Sequence, residues 1–232
     1  MTKKVLVTGV SSGIGLAQAR LFLQEGYTVY GVDRSDCPVL KGKFHFLKLD
    51  LLEDLEPLFN FIAEVDILCL TAGVLDDFKP HLEVSEEEFE AVFFTNFFAT
   101  TKICRYYLEK MVEKKDGIII TMCSIASFLA GGGGSAYTAS KHALAGFTRQ
   151  LALDYAKDHI QVFGIAPGAV KTAMTQADFE PGGLADWVAS ETPIGRWSLP
   201  EEVAELTLFL ASGKAASMQG EIVKMDGGWS LK

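Results

Sequence analysis

Lys4-Val5-Leu6-Val7-Thr8-Gly9-Val10-Ser11-Ser12-Gly13-Ile14-Gly15 runs from an apolar segment directly into three closely spaced glycines. A short apolar run without polar alternation is what a strand buried on both faces of a parallel sheet requires. Residues 16–24 then carry a helical pattern that stops at Gly26, a residue suited to a left-handed cap. Strand, glycine loop and helix N-terminus in that order make an anion site. Glycines let the backbone approach, and the N–H groups of the first helical turn point at a pyrophosphate. Tyr27-Thr28-Val29-Tyr30-Gly31-Val32 reads as the next strand and ends at Asp33, near the spacing at which a carboxylate meets the ribose of a dinucleotide. Asp33 can accept hydrogen bonds from both ribose hydroxyls and would face the extra phosphate of NADP with like charge, so the sequence points to NAD.

A second stretch supplies reactive groups. Tyr137-Thr138-Ala139-Ser140-Lys141 places a phenol and an ammonium four residues apart on one face of a helix, with Ser124 upstream. An adjacent positive charge favours the phenolate, so Lys141 is expected to lower the Tyr137 pKa toward neutrality. Alone, a Tyr and a Lys at this spacing usually mean a packed ring and a solvated amine. Beside a dinucleotide loop they outline a carbonyl-reducing site.

Together these motifs resemble the short-chain dehydrogenase/reductase family, in its single-domain branch, over almost the whole chain. Residues 8–15, with Gly9, Ser11, Ser12, Gly13, Ile14 and Gly15, resemble that branch's glycine motif, and family members that prefer NADP often carry a basic residue where Ser12 stands. The resemblance implies further roles position by position. Asp50-Leu51, at the end of the strand-like residues 44–49, corresponds to the pair that contacts adenine. Thr71-Ala72-Gly73 follows the strand-like residues 66–70 where the family has Asn-Ala-Gly; threonine keeps a hydroxyl but loses the amide, so the backbone role of Ala72 and Gly73 carries over and Thr71 is a departure. Asn96 corresponds to the asparagine that bends a long helix and holds water behind the lysine. Phe93, Phe94, Phe97 and Phe98 around it suggest a buried setting, where an amide needs partners. After the strand-like residues 160–166, Pro167-Gly168-Ala169-Val170-Lys171-Thr172 implies that the Val170 backbone and the Thr172 hydroxyl hold the nicotinamide end of the cofactor. Pro193-Ile194-Gly195-Arg196-Trp197, Pro200-Glu201-Glu202-Val203-Ala204 and Asp226-Gly227-Gly228 look like the tail of bacterial 3-oxoacyl-carrier-protein reductases.

Across 232 residues with 49% hydrophobic content, strand and helix patterns alternate without a linker or a fixed-period repeat. The expected fold is α/β: a doubly wound, Rossmann-type parallel sheet, with residues 1–232 forming a single NAD-binding domain. One connection departs from that plan. Residues 34–43 are too few for the crossover helix of an ordinary right-handed parallel connection, so an extended passage is expected after the second strand, which Cys37-Pro38 would accommodate. A net charge of −9 without a concentrated basic patch argues against nucleic acid as a partner. No apolar run reaches membrane-spanning length and the N-terminus leads directly into the first strand, so a cytoplasmic protein is expected. The cysteines Cys37, Cys69, Cys104 and Cys123 and the histidines His45, His81, His142 and His159 show no paired ligand spacing, so no metal site is expected.

The chemistry implied is hydride transfer between NAD(H) and a secondary alcohol or ketone. Tyr137 gives or takes the proton, Ser124 bonds the substrate oxygen, Lys141 acts on Tyr137 and on the nicotinamide ribose, and Asn96 supports a water path. Reduction of a 3-oxoacyl thioester is the alternative, favoured by the tail and opposed by Asp33, because those reductases commonly use NADPH. A non-catalytic nucleotide-binding scaffold would be free to lose at least one of the four side chains, and a sugar-nucleotide epimerase with the same Tyr-Lys spacing would be longer. Gly131 to Gly134 reads as a flexible loop beside the site. Residues 173–192 hold Met174, Phe179, Leu184, Trp187 and Val188, and they read equally as a lid with apolar contacts or as a surface helix packed on the core. Residues 89–111 carry aromatic side chains at so many angles that a second buried face is required. In the resembled family this helix and the one bearing Tyr137 pack against their copies, which implies a homotetramer, with a dimer as runner-up.

Overall fold

Val5, Leu6 and Val7 are fully buried, the side chains alternating between two separate cores as a strand covered on both faces demands. The computed structural model describes residues 2–232. Its strands are β1 (Lys4–Thr8), β2 (Thr28–Asp33), β3 (Phe44–Lys48), β4 (Ile67–Leu70), β5 (Gly117–Met122), β6 (Ile160–Pro167) and β7 (Ile222–Met225). All pair in parallel, in the order β3-β2-β1-β4-β5-β6-β7, which is the single-domain, doubly wound α/β architecture. The order reverses between β1 and β4, and such a switch point opens a crevice at the carboxyl ends of the strands.

Helices close both faces. Leu6, Leu68 and Leu70 share one core with α2 (Glu56–Phe61), α4 (Ala99–Lys114) and the later part of α5 (Ser135–Tyr155). Val5, Val7, Ile67 and Cys69 share the other with α1 (Gly13–Gln24) and α7 (Pro200–Ala211). Each fully buried Leu, Ile or Phe contributes about 1.5–3 kcal/mol by leaving water, so Phe22 on α1 and Tyr107 on α4 are large anchors. Tyr107 also donates its hydroxyl to the Ile62 carbonyl at 2.9 Å, which satisfies the buried polar end of the ring.

Three details refine the sequence expectations. Helix α1 begins at Gly13 rather than at residue 16, and Gly26 holds the left-handed conformation expected beyond its end (φ +83). Between β2 and β3 no helix forms, and the chain crosses in an irregular passage, as the short connection implied. The long helix around Asn96 is two helices, α3 (Glu86–Phe93) and α4, joined by a π turn over Phe94–Phe98. Ser85 and Glu88 fix the start of α3 by a reciprocal cap, with N–H···O distances of 2.9 and 3.1 Å. The aromatic series at this bend is mostly absorbed within the chain: Phe93 packs on Phe89, Phe97 and Phe98, while Phe98 is left 48% exposed.

Candidate active site

A cleft of about 510 Å³ lies over the carboxyl ends of the central strands. Its floor at one end is the glycine loop after β1. Gly9 has φ +72, and a Cβ there would sit 2.9 Å from the Ala72 Cα; a Cβ at Gly15 would sit 2.2 Å from the Gly9 carbonyl oxygen. Only glycine fits such a cradle, which is what close approach of a pyrophosphate to backbone N–H groups requires. Gly9, Ser12, Gly13, Ile14 and Gly15 all line the cleft. Ser11 does not: it is buried, and its hydroxyl donates to the Ser35 carbonyl at 2.9 Å. Its backbone N–H donates to Asp33 Oδ2 at 3.0 Å, and the Ser35 N–H donates to Asp33 Oδ1 at 2.9 Å. The Asp33 carboxylate is thereby held at the end of β2 facing the cleft, beside Asp50 and Leu51 from the end of β3.

Ala72 and Gly73 line the next portion, and the departure at Thr71 has a structural answer. The Thr8 hydroxyl accepts from the backbone N–H groups of both Thr71 and Ala72 at 2.9 Å. The Thr71 hydroxyl donates to Gln18 Oε1 at 2.7 Å, and Gln18 Nε2 donates to the Thr207 hydroxyl at 2.8 Å. The hydroxyl at position 71 is thus partnered by a fully buried glutamine on α1, which also ties that helix to α7. Gln18 escaped the sequence reading; a lone amide among the apolar positions of α1 was the available signal.

Asn96 is completely buried at the π turn. Its Oδ1 accepts from the Val74 N–H at 2.8 Å, and its Nδ2 donates to the Val74 carbonyl at 2.9 Å and to the Ser140 hydroxyl at 3.1 Å. The side chain therefore does not line the cleft; it locks the loop after β4 to α5 behind it. Val170 and Thr172, after β6, line the cleft.

Ser124, Tyr137 and Lys141 meet at one end. Ser124 follows β5 and caps the short turn Ile125–Ser127, accepting from the Ala126 N–H at 3.1 Å, while the Ser127 hydroxyl donates to the Lys141 carbonyl at 2.8 Å. Lys141 is 4% exposed, and its Nζ donates to the Met122 carbonyl at 2.8 Å with no carboxylate beside it. Burial lowers its pKa from 10.5 to about 8. The expected depression of the Tyr137 pKa is not what the structure shows: burial raises it, Ser124 offsets part of the rise, and the charge of Asp76 adds to it. Loss of water around the phenol is the largest cause, because burial disfavours the charged phenolate. The Lys141 ammonium is turned onto Met122 and lies 5.6 Å from the centre of the Tyr137 ring.

Asp76 is a second residue that only the structure reveals. From the loop after β4 its carboxylate accepts from the N–H groups of Gly134 at 2.6 Å and Tyr137 at 3.0 Å, closing the N-terminus of α5 where Gly134 has no side chain to do so. His142 bonds the Thr138 carbonyl on the exposed side of α5, away from the cleft. Among the described residues, no group of His, Cys, Asp and Glu is arranged to hold a metal, and no helix is long and apolar enough to cross a membrane.

A sequence model of the short chain dehydrogenase family matches residues 3–182. The chain belongs to the short-chain dehydrogenase/reductase family. Cyclopentanol dehydrogenase of a Comamonas species is 32% identical, over 98% of this chain and 97% of its own. The 3-oxoacyl-[acyl-carrier-protein] reductase of Thermotoga maritima is 31% identical, over 97% of each chain. Among solved structures, a 4-hydroxyisoleucine dehydrogenase complexed with NADH matches with a TM-score of 0.94 and 28% identity, over 100% of both chains. As a short-chain dehydrogenase/reductase, the protein is an oxidoreductase built for a nicotinamide cofactor.

Proposed function

We propose that the protein transfers a hydride between NAD(H) and a secondary alcohol or ketone, with residues 1–232 acting as one dinucleotide-binding domain. The observation that carries this is the buried Lys141 ammonium. It has three N–H donors and a single protein acceptor, and it sits beside Tyr137 in a cleft whose other end presents Asp33. Open donors at that place suit the hydroxyls of a nicotinamide ribose. The glycine loop, with Gly9, Ser12, Gly13, Ile14 and Gly15, would hold the pyrophosphate. Asp33 would take the adenosine ribose, Asp50 and Leu51 the adenine, Ala72 and Gly73 the middle of the cofactor, and Val170 and Thr172 its nicotinamide end. Ser11 would act by holding Asp33. When bound, the cofactor supplies or receives the hydride.

The chain's own residues handle the oxygen and its proton. Ser124 donates a hydrogen bond to the substrate oxygen. Tyr137, a phenol at neutral pH whose pKa burial raises further, gives its proton to that oxygen in reduction, and in oxidation its phenolate takes the proton back. Lys141 stabilises the phenolate that forms, and Asn96 holds the bend that leaves a water path from Lys141 to solvent. Preorganised donors of this kind act on charge as it develops on oxygen.

A second reading, reduction of a 3-oxoacyl thioester, is supported by the 31% identity to the Thermotoga reductase. Asp33 argues for NAD and hence for the first. The test is kcat/KM with NAD(H) and NADP(H) for wild type and Asp33→Ser. We expect wild type to prefer NAD(H) by at least about tenfold, because a like charge against the ribose phosphate costs several kcal/mol, and Asp33→Ser to erase most of that preference. A wild type that prefers NADPH overturns the cofactor assignment and favours the thioester reading.

A further inference from the structure

The cleft changes character along its length. Asp33, Arg34 and Asp50 make one end polar, whereas the walls around Ser124 and Tyr137 include Leu75, Phe78, Met174, Leu184, Trp187 and Trp229. Phe78, Met174, Leu184 and Trp187 are 56, 50, 54 and 55% exposed, an apolar surface gathered at the one place where a small molecule would enter. Poor packing does not account for it. Within the same segment Phe179 packs at a tilt on Trp197, ring centres 4.9 Å apart, and the Trp197 indole N–H donates to the Ala185 carbonyl at 2.9 Å, which fastens helix α6 (Ala185–Glu191) to the body. The residues able to pack inward do so, and those left over line the cleft. Trp187, on α6, meets Trp229 edge to face at 6.1 Å, so two elements far apart in sequence build one aromatic wall. Phe78 holds a left-handed backbone (φ 58), a conformation that strains a bulky side chain and is tolerated where the surrounding structure fixes the geometry.

Charge points the same way. The basic side chains lining the cleft are Arg34, at the polar end near Asp50, and Lys141, buried and turned onto the Met122 carbonyl. Around the apolar walls the lining residue with a full charge is Asp178. A carboxylate or phosphate carried by a substrate would lose its water, gain no cation and face Asp178.

From this we infer that the substrate is an uncharged, predominantly apolar secondary alcohol or ketone, with a ring or branched hydrocarbon seated among Phe78, Met174, Leu184 and Trp187, and that hydroxy acids of similar size are rejected. This rests on the hydride-transfer function proposed above. In oxidation Tyr137 first releases its own proton to solvent; its phenolate then takes the hydroxyl proton of the alcohol as the carbinol carbon passes a hydride to NAD⁺, leaving the ketone, NADH, the restored phenol and one proton in solvent.

The test compares two alcohols with the same ring, 4-methylcyclohexanol and 4-hydroxycyclohexane-1-carboxylate, each assayed on the full chain with NAD⁺ and with NADP⁺. We expect kcat/KM to favour the methyl compound by at least about tenfold. Trp187→Ala should raise KM for it several-fold with NADH affinity, read by fluorescence, unchanged, and Trp187→Phe should restore most of the loss. Met174→Lys, which puts a cation at the apolar wall, should narrow the ratio by improving turnover of the carboxylate. Equal or better turnover of the carboxylate by wild type overturns the substrate class and leaves hydride transfer standing. NADH binding without turnover of either alcohol, or of the corresponding ketones with NADH, overturns both.

Discussion

Burying the Lys141 ammonium against one carbonyl shifts its pKa from 10.5 to about 8, and that shift is a statement about stability as well as chemistry. Below pH 8 both the folded and the unfolded chain carry the charge, and the full penalty applies, about 3 kcal/mol at 1.36 kcal/mol per pKa unit. Between pH 8 and 10.5 the unfolded chain binds more protons than the folded one, so the penalty fades as pH rises. Lys141→Met should therefore stabilise the protein at pH 7, by up to about that amount, with the advantage shrinking by pH 10. Urea midpoints of both proteins at the two pH values check it; equal midpoints at pH 7 would show that the ammonium is solvated. The same variant should lose turnover, a trade of activity for stability at a functional position. Tyr137→Phe makes the complementary case, because the ring stays and the proton goes. Turnover should fall by about a hundredfold or more while NADH affinity holds. Near-normal turnover would remove Tyr137 from the mechanism.

Helix α5 bears both Tyr137 and Lys141, and its N-terminus begins at a glycine with no side chain to cap it. Asp76 does that work from the loop after β4, while Asn96 pins the same loop to Ser140 one turn further along. The element that carries the reactive groups is thus positioned by a loop that also supplies Leu75 and Phe78 to the cleft wall. Asp76→Ala removes an acceptor from two backbone donors at a helix N-terminus and should cost about 1–2 kcal/mol, lowering Tm and kcat together, with Asp76→Asn recovering part of each. An unchanged Tm would mean that water replaces the carboxylate at no loss. Gln18 plays the parallel role for α1 and α7. Replacing it by Leu takes the acceptor from the Thr71 hydroxyl and a donor from Thr207, whose hydroxyl keeps its bond to the Val203 carbonyl, and should cost about 1–3 kcal/mol in a denaturant titration.

At the scale of the whole molecule, residues 89–111 were expected to leave aromatic side chains over for a second chain. The π turn and the packing of Phe93, Phe97 and Tyr106 onto neighbouring rings absorb most of them. Phe98 on that bend and Leu153 on α5 stay 48 and 74% exposed. Both belong to the helices through which the family resemblance implies assembly. We expect light scattering to give about four times the chain mass of 25.3 kDa, and Phe98→Glu with Leu153→Glu to lower both the mass and the turnover. A monomer of full activity at assay concentration would reject the tetramer and any catalytic support from it.

The N-terminal strand, the glycine loop, Asp33 and the Tyr137-Lys141 spacing were legible because each rests on local rules: period-two burial, backbone freedom at glycine, and the four-residue turn of a helix. The short passage after β2 was legible for the same reason, since residue count alone forbids a crossover helix there. The rest depends on what folding brings together from distant parts of the chain. The direction of the Tyr137 pKa turned on burial of the phenol and on Ser124 and Asp76 beside it, neighbours that helical spacing does not specify. Likewise Asp76 and Gln18 became readable only when their partners, 53 to 189 residues away, arrived beside them. The sequence by itself determined the fold and named the glycine loop, Asp33, Ser124, Tyr137 and Lys141, which share one cleft, whereas Ser11 and Asn96 lie behind it and Leu75, Phe78 and Trp229 enter it unannounced. Tertiary structure decided the protonation of the reactive groups, their bracing and the apolar character of the wall, because desolvation and long-range hydrogen bonds are properties of neighbours in space rather than along the chain.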